Sequence, residues 1–184
     1  MNFPLLLTMI RVAAIPLVVV LLYPHDTVMH HVAAVLFAMA AVTDWLDGWL
    51  ARRWHQTTDF GAFLDPVADK LLVAVCLVML LRFHASGPLS VLVGIIIGRE
   101  IAISALREWL AELGQRSRVA VNFIGKTKTA AQMTAITLML WQTPIAGIPV
   151  YQIGYALLFF AAGMTLWSMM VYLRAAWPVM RRSV

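Results

Sequence analysis

Long apolar stretches separated by short polar breaks run the length of this chain. Six of them, over residues 5–23, 28–51, 62–81, 89–110, 119–141 and 149–175, each approach the ~20 residues that cross a bilayer core. Tyr23-Pro24-His25-Asp26, Ala85-Ser86-Gly87-Pro88 and Gln142-Thr143-Pro144 have turn composition and mark alternate connections, all on one side of the membrane. Pro4 suits the first turn of the first helix, and Pro16 is expected to kink it. That helix lacks a basic n-region and a small-residue cleavage site, so it is read as retained rather than as a signal peptide. The pattern predicts an all-α, polytopic membrane protein with six transmembrane helices in a single domain, 1–184.

Composition narrows the classes further. The chain is 62% hydrophobic and 12% charged, where soluble domains carry about a quarter charged residues. Mean hydropathy is +0.83, which excludes an ordinary soluble domain. One cysteine, Cys76, excludes an intramolecular disulfide framework. The net charge of +5 is unevenly placed. Arg52 and Arg53, Arg116 and Arg118, and Arg181 and Arg182 fall on one side, against Arg82 alone on the other. The positive-inside rule then puts both termini and the Arg52 loop in the cytoplasm. This charge suits an anionic membrane surface and calls for no nucleic acid. Trp54, Trp109, Trp141 and Trp177 near segment ends fit an interfacial belt.

The polar exceptions to the apolar pattern carry the chemistry. Residues 44–69 contain Asp44-x-x-Asp47-Gly48-x-x-Ala51-Arg52, then eight residues, then Gly61-x-x-x-Asp65-x-x-x-Asp69. Asp44, Asp47, Gly48 and Ala51 share one helical face, and Gly61, Asp65 and Asp69 share a face of the next helix. At ~1.5 Å per residue, Asp44 and Asp69 each lie about 12 Å from the connecting loop, with Asp47 and Asp65 shallower. Antiparallel packing would gather the four carboxylates near the cytoplasmic face. Unpaired intramembrane charge is costly, so such a cluster needs protons or cations. Its donors are all oxygen, with no His or Cys, which favours Mg²⁺ or Mn²⁺ over zinc. Two cations on a diphosphate would favour displacement at phosphorus. Lys70 either pairs with a motif aspartate or snorkels.

This spacing resembles, without departure, the motif of the CDP-alcohol phosphotransferases, membrane enzymes that join a CDP-linked group to an alcohol and release CMP. The likeness extends to Thr8-x-x-Arg11, to the run from Arg99 to Trp109, and to Gly125-Lys126-Thr127-Lys128-Thr129-x-x-Gln132. Those segments look like the bacterial branch that uses sn-glycerol 3-phosphate. The resemblance implies transfer from CDP-diacylglycerol to sn-glycerol 3-phosphate in phospholipid biosynthesis, by a homodimer in the bacterial inner (cytoplasmic) membrane. It implies that Asp44, Asp47 and Asp65 are principal metal ligands, and that Asp69 activates the attacking hydroxyl besides touching a metal. Gly48, Ala51 and Gly61 would then leave room for the cytidine diphosphate, and Arg52 would meet its phosphates.

A second, basic group supplies the expected acceptor site. Arg99, Glu100, Ser104 and Arg107 share an arc of the fourth helix, Lys126 and Lys128 open the fifth, and Arg11 lies in the first. Arg and Lys suit a phosphate, so Arg107, Lys126, Lys128, Arg11 and Arg99 are the acceptor-binding candidates. Inositol phosphate, serine or a second phosphatidylglycerol are alternative acceptors. A prenyl-diphosphate synthase also uses aspartate-bound Mg²⁺, but the chain has neither Asp-Asp-x-x-Asp motifs nor soluble composition. An ion-coupled transporter would place its acids at midplane in repeated, broken helices, and no repeat is found. His25, His30, His31 and His84 lie at the opposite face, and His55 reads as surface.

Overall fold

The computed structural model describes residues 3–54, 59–114 and 123–183, with the side chains of 3–5, 45–54, 59, 62, 123–126 and 182–183 outside that description. The described residues form six helices: α1 (Phe3–Leu22), α2 (Thr27–Trp54), α3 (Asp59–Phe83), α4 (Gly87–Glu112), α5 (Phe123–Trp141) and α6 (Val150–Ser183). Each coincides with one of the six apolar stretches. The ends differ where apolar sequence stops before backbone hydrogen bonding does. Thus α2 continues to Trp54, α3 begins at Asp59, and α6 runs to Ser183. The expected start of the fifth helix at 119–122 lies outside the described residues.

Local chemistry sets the described turns. Asp26 caps α2, its Oδ1 accepting from the Met29 amide at 2.9 Å. Ser86 caps α4, its side chain accepting from the Leu89 amide, with a proline in the first turn. Gly114 ends α4 in the left-handed region at φ 69°, where a glycine pays no Cβ penalty.

Three helical regions are individually long and apolar enough to cross a membrane: Thr27–Asp44, Gly87–Glu112 and Val150–Arg181. α1 adds a shorter apolar stretch, Leu6–Leu22. The first halves of α3 and α5 carry Asp65, Asp69 and Lys70, and Lys126, Lys128 and Gln132, which lower their hydropathy. Large apolar side chains such as Val20, Met39, Ile101, Phe159 and Trp167 point outward, as a lipid-facing surface requires. The chain is a membrane protein.

Packing follows a cycle. α1 contacts α2 and α3, α2 contacts α5, α5 contacts α6, α6 contacts α4, and α4 returns to α3, which also touches α5. Along its length the bundle has two unlike halves. Val18, Leu22, Phe37, Cys76, Leu80, Leu89, Ile96, Met139 and Leu158 make a dry core at the end bearing the three short turns. Towards the other end the buried residues include Thr8, Arg11, Arg99, Lys128, Gln132, Thr165 and Ser168. The apolar half holds the helices together, and the polar half gathers the buried charged and hydroxyl side chains.

Among the glycines whose surroundings are described, the close helix contact is α5 on α6 at Gly154. A Cβ there would stand 2.9 Å from the Ala135 carbonyl oxygen, the Leu138 Cβ and the Met139 Cγ, whereas at Gly163 on the same helix it meets nothing within 4 Å. Backbone cannot yield as a side chain can, so Gly154→Ala should destabilise by about 1–3 kcal/mol and lower the melting temperature in detergent. Gly163→Ala should leave the melt unchanged or raise it slightly, since Ala is the better helix former; an equal fall at both positions would remove the close-approach explanation.

Candidate active site

The acidic motif meets α1. Arg11, one turn beyond Thr8, is buried, and its Nη1 lies 2.9 Å from Asp69 Oδ1, 3.1 Å from Asp44 Oδ1 and 4.0 Å from Asp65 Oδ1. The Thr8 hydroxyl donates to Asp65 Oδ1. α2 therefore supplies one carboxylate, α3 supplies two on one face, and α1 supplies the cation between them. Access is one-sided: the Arg11 side chain is 1% exposed, against 38% for Asp44, 42% for Asp65 and 28% for Asp69. The guanidinium forms a floor and the carboxylates form an opening. Gly61 and Ala68 are buried beside them on α3, small enough to let the helices approach.

The Arg11 guanidinium neutralises part of this acidic charge. It cannot match three carboxylates, and the remainder is left to protons or other cations. Among the described residues no three acidic, His or Cys side chains stand in metal-holding geometry, because the Arg11 guanidinium lies where they converge. The donor set itself, carboxylate oxygens from two helices with an open side, fits hard divalent ions. Asp47, Gly48, Ala51 and Arg52 continue α2, but their side chains lie outside the described residues.

A second polar cluster links α4, α5 and α6. Glu100 Oε1 accepts from Lys128 Nζ at 2.6 Å and from Arg99 Nη1 at 2.9 Å. Arg99 Nη2 donates to Ser168 Oγ at 2.7 Å, and that hydroxyl donates to the Thr165 carbonyl at 2.9 Å. Nearer the helix ends, Arg107 Nη2 donates to the Tyr172 hydroxyl at 2.6 Å, and its guanidinium carbon lies 4.9 Å from that ring's centroid. Arg107 lies about two turns along α4 from Glu100. The structure thus brings Arg99, Arg107 and Lys128 into one region and places Arg11 with the aspartates instead. The Lys126 side chain lies outside the described residues.

Ser168 and Tyr172 were not among the sequence candidates, and Glu100 was not read as the shared partner of two cations. A signal was present on α6: Thr165, Ser168 and Tyr172 follow i, i+3, i+7 spacing, a polar stripe on an apolar helix. The histidines of the opposite end are packing groups. His25 and His30 each set a ring edge-on to Phe83, His31 stacks on Trp141, and His84 lies against Tyr151. Burial holds the His84 imidazole below its ordinary pKa. His55 lies outside the described residues.

A helical membrane bundle with an acidic cluster and a basic cluster gathered in its polar half has the construction of an intramembrane phosphate-transfer enzyme. The CDP-alcohol phosphatidyltransferase family pattern matches residues 1–173, and the chain belongs to that family. Relatives from Shigella flexneri serotype 5b, Shigella boydii serotype 4 and Escherichia coli strain K12 are each 54% identical over 175 residues. The matches cover 95% of this chain and 94% of each relative. All three carry the name CDP-diacylglycerol–glycerol-3-phosphate 3-phosphatidyltransferase.

Arg11 gives this site a direct test. Arg11→Met removes the shared cation and leaves Asp44 and Asp69 facing one another. The loss should be about 1–3 kcal/mol, less than the ~3–5 kcal/mol for a fully buried pair because the carboxylates are partly exposed. It should be larger in EDTA than in Mg²⁺, since a divalent ion can take over the neutralisation. An unchanged melt in EDTA would show that Arg11 does not balance the cluster.

Proposed function

We propose that this chain transfers the phosphatidyl group of CDP-diacylglycerol to sn-glycerol 3-phosphate, releasing CMP and giving phosphatidylglycerophosphate. The carrying observation is the convergence of Asp44, Asp65 and Asp69 on Arg11, in a chain 54% identical to relatives named for this reaction. The glycerol hydroxyl oxygen attacks the phosphatidyl phosphorus, and the bond from that phosphorus to the CMP oxygen breaks. Asp69 accepts the hydroxyl proton, and CMP departs as an anion. Asp44, Asp47, Asp65 and Asp69 would hold two Mg²⁺ or Mn²⁺ ions, which would supply the positive charge that a diphosphate needs in such a displacement.

The chain's own groups do the rest. Arg11 and Thr8 fix the carboxylates that they touch, so these need not reorganise during the reaction. Gly48, Ala51 and Gly61 leave space for the cytidine diphosphate, and Arg52 meets its phosphates. Arg107, Lys126 and Lys128, supported by Arg99, receive the phosphate of the acceptor. Arg11 serves the acceptor through the carboxylates, where it lies beside Asp69. Charge-assisted contacts to a doubly charged phosphate favour this acceptor over serine, which has none.

All six helices cross the bacterial inner membrane, the polar half opens to the cytoplasm, and the enzyme works as a homodimer. The excess of Arg in the connections at the polar end supports the orientation. A cysteine placed at Gln56 should resist impermeant reagents added outside intact cells; ready labelling would reverse it. Sedimentation in detergent tests the dimer against the 20.5 kDa chain.

Turnover is tested with purified protein, CDP-diacylglycerol, Mg²⁺ and a panel of alcohols, following CMP release. sn-Glycerol 3-phosphate should be the preferred acceptor, and preference for serine or inositol phosphate would overturn this acceptor assignment. Asp69→Asn should cut kcat by about 10²–10⁴-fold with nucleotide affinity largely kept, because the amide keeps the size but cannot take the proton. Near-normal turnover in that variant would remove Asp69 as the base.

A further inference from the structure

The Lys128–Glu100 pair has an unusual position. α4 and α5 are not principal packing partners, since each packs chiefly through α6. Yet the two side chains meet at 2.6 Å across the space between them. The same Glu100 oxygen also holds Arg99 at 2.9 Å, and Arg99 continues to Ser168 on α6. One carboxylate is thus shared by two cations, so among the described residues the cluster keeps an excess of positive charge. A purely structural ion pair would be balanced. This one leaves a net positive charge that an anionic group such as a phosphate monoester, with ~1.5–2 negative charges at neutral pH, would offset.

We propose that Glu100 is a positioning residue for the transfer: its carboxylate fixes the Lys128 ammonium across the α4–α5 space, where the acceptor's phosphate is received. Lysine is a point charge on a flexible four-carbon stem, so a buried lysine needs a partner to set its direction. Glu100 supplies the direction, and Arg99, anchored to Ser168, keeps Glu100 from rotating away. The inference rests on the acceptor reading above.

The test measures CMP release against both substrates in the detergent-purified enzyme. Glu100→Gln keeps the side-chain size and removes the charge. It should raise the KM for sn-glycerol 3-phosphate by roughly tenfold to a hundredfold, the effect of one charge-assisted contact. The KM for CDP-diacylglycerol should stay within about twofold, the usual error of additivity. Glu100→Asp, which keeps the charge but withdraws it by one methylene, should give a smaller rise with the same selectivity. It carries the test if Glu100→Gln does not accumulate in the membrane. In a Lys128→Met background, Glu100→Gln should add less than about twofold, because the group it positions has gone. Equal rises for both substrates, or full additivity with Lys128→Met, would make Glu100 a structural residue and overturn the proposal. Wild-type enzyme that releases no CMP with sn-glycerol 3-phosphate overturns the acceptor reading and this inference with it. Wild-type turnover with an unchanged KM in Glu100→Gln overturns this inference alone.

Discussion

Charge inside an apolar bundle must be compensated, and the two ways in which this chain does so organise the molecule. Around Arg11, carboxylates outnumber the cation. Around Glu100, among the described residues, cations outnumber the carboxylate. Each cluster is partly neutralised by protein and left incomplete in the opposite sense. On the proposed function, the acidic remainder would hold divalent cations and, through them, a diphosphate. On the same reading, the basic remainder would receive a phosphate directly. Both internal ion pairs reduce the desolvation cost of holding such charge within the bundle.

This charge is affordable because the other half of the bundle contains so little of it. The apolar core of residues such as Phe37, Leu80, Ile96 and Met139 is fully or almost fully buried, and close backbone approach at Gly154 ties α5 to α6. α6 in turn carries Ser168 and Tyr172 to the basic cluster. The helix with the least functional signal in its sequence thereby orients two of the basic side chains. Stability and chemistry are separated along the bundle axis rather than between its surface and its centre.

Much of this was legible in the chain. Six apolar stretches became six helices, because a segment without water to satisfy its backbone must hydrogen-bond within itself. The Asp65–Asp69 spacing placed both carboxylates on one face of α3 with no tertiary information. Helix ends were less legible: Trp54, Asp59 and Ser183 extend helices beyond their apolar stretches, since backbone pairing does not require apolar side chains. Helix neighbours were less legible still. Outward residues such as Ile101 and Phe159 are as apolar as inward ones such as Ile96 and Leu158, so periodicity alone cannot say which face packs on what.

The sequence by itself determined the helical membrane class, the count of helices and the chemical kinds gathered at one end. The tertiary structure decided the pairings. It set Arg11 among aspartates 33 to 58 residues away in the chain, and it joined Lys128 to Glu100 and Arg99 to Ser168. The reason is geometric. Spacing along one helix fixes which side chains share a face, at 3.6 residues per turn, whereas the partner of that face depends on how separate helices pack.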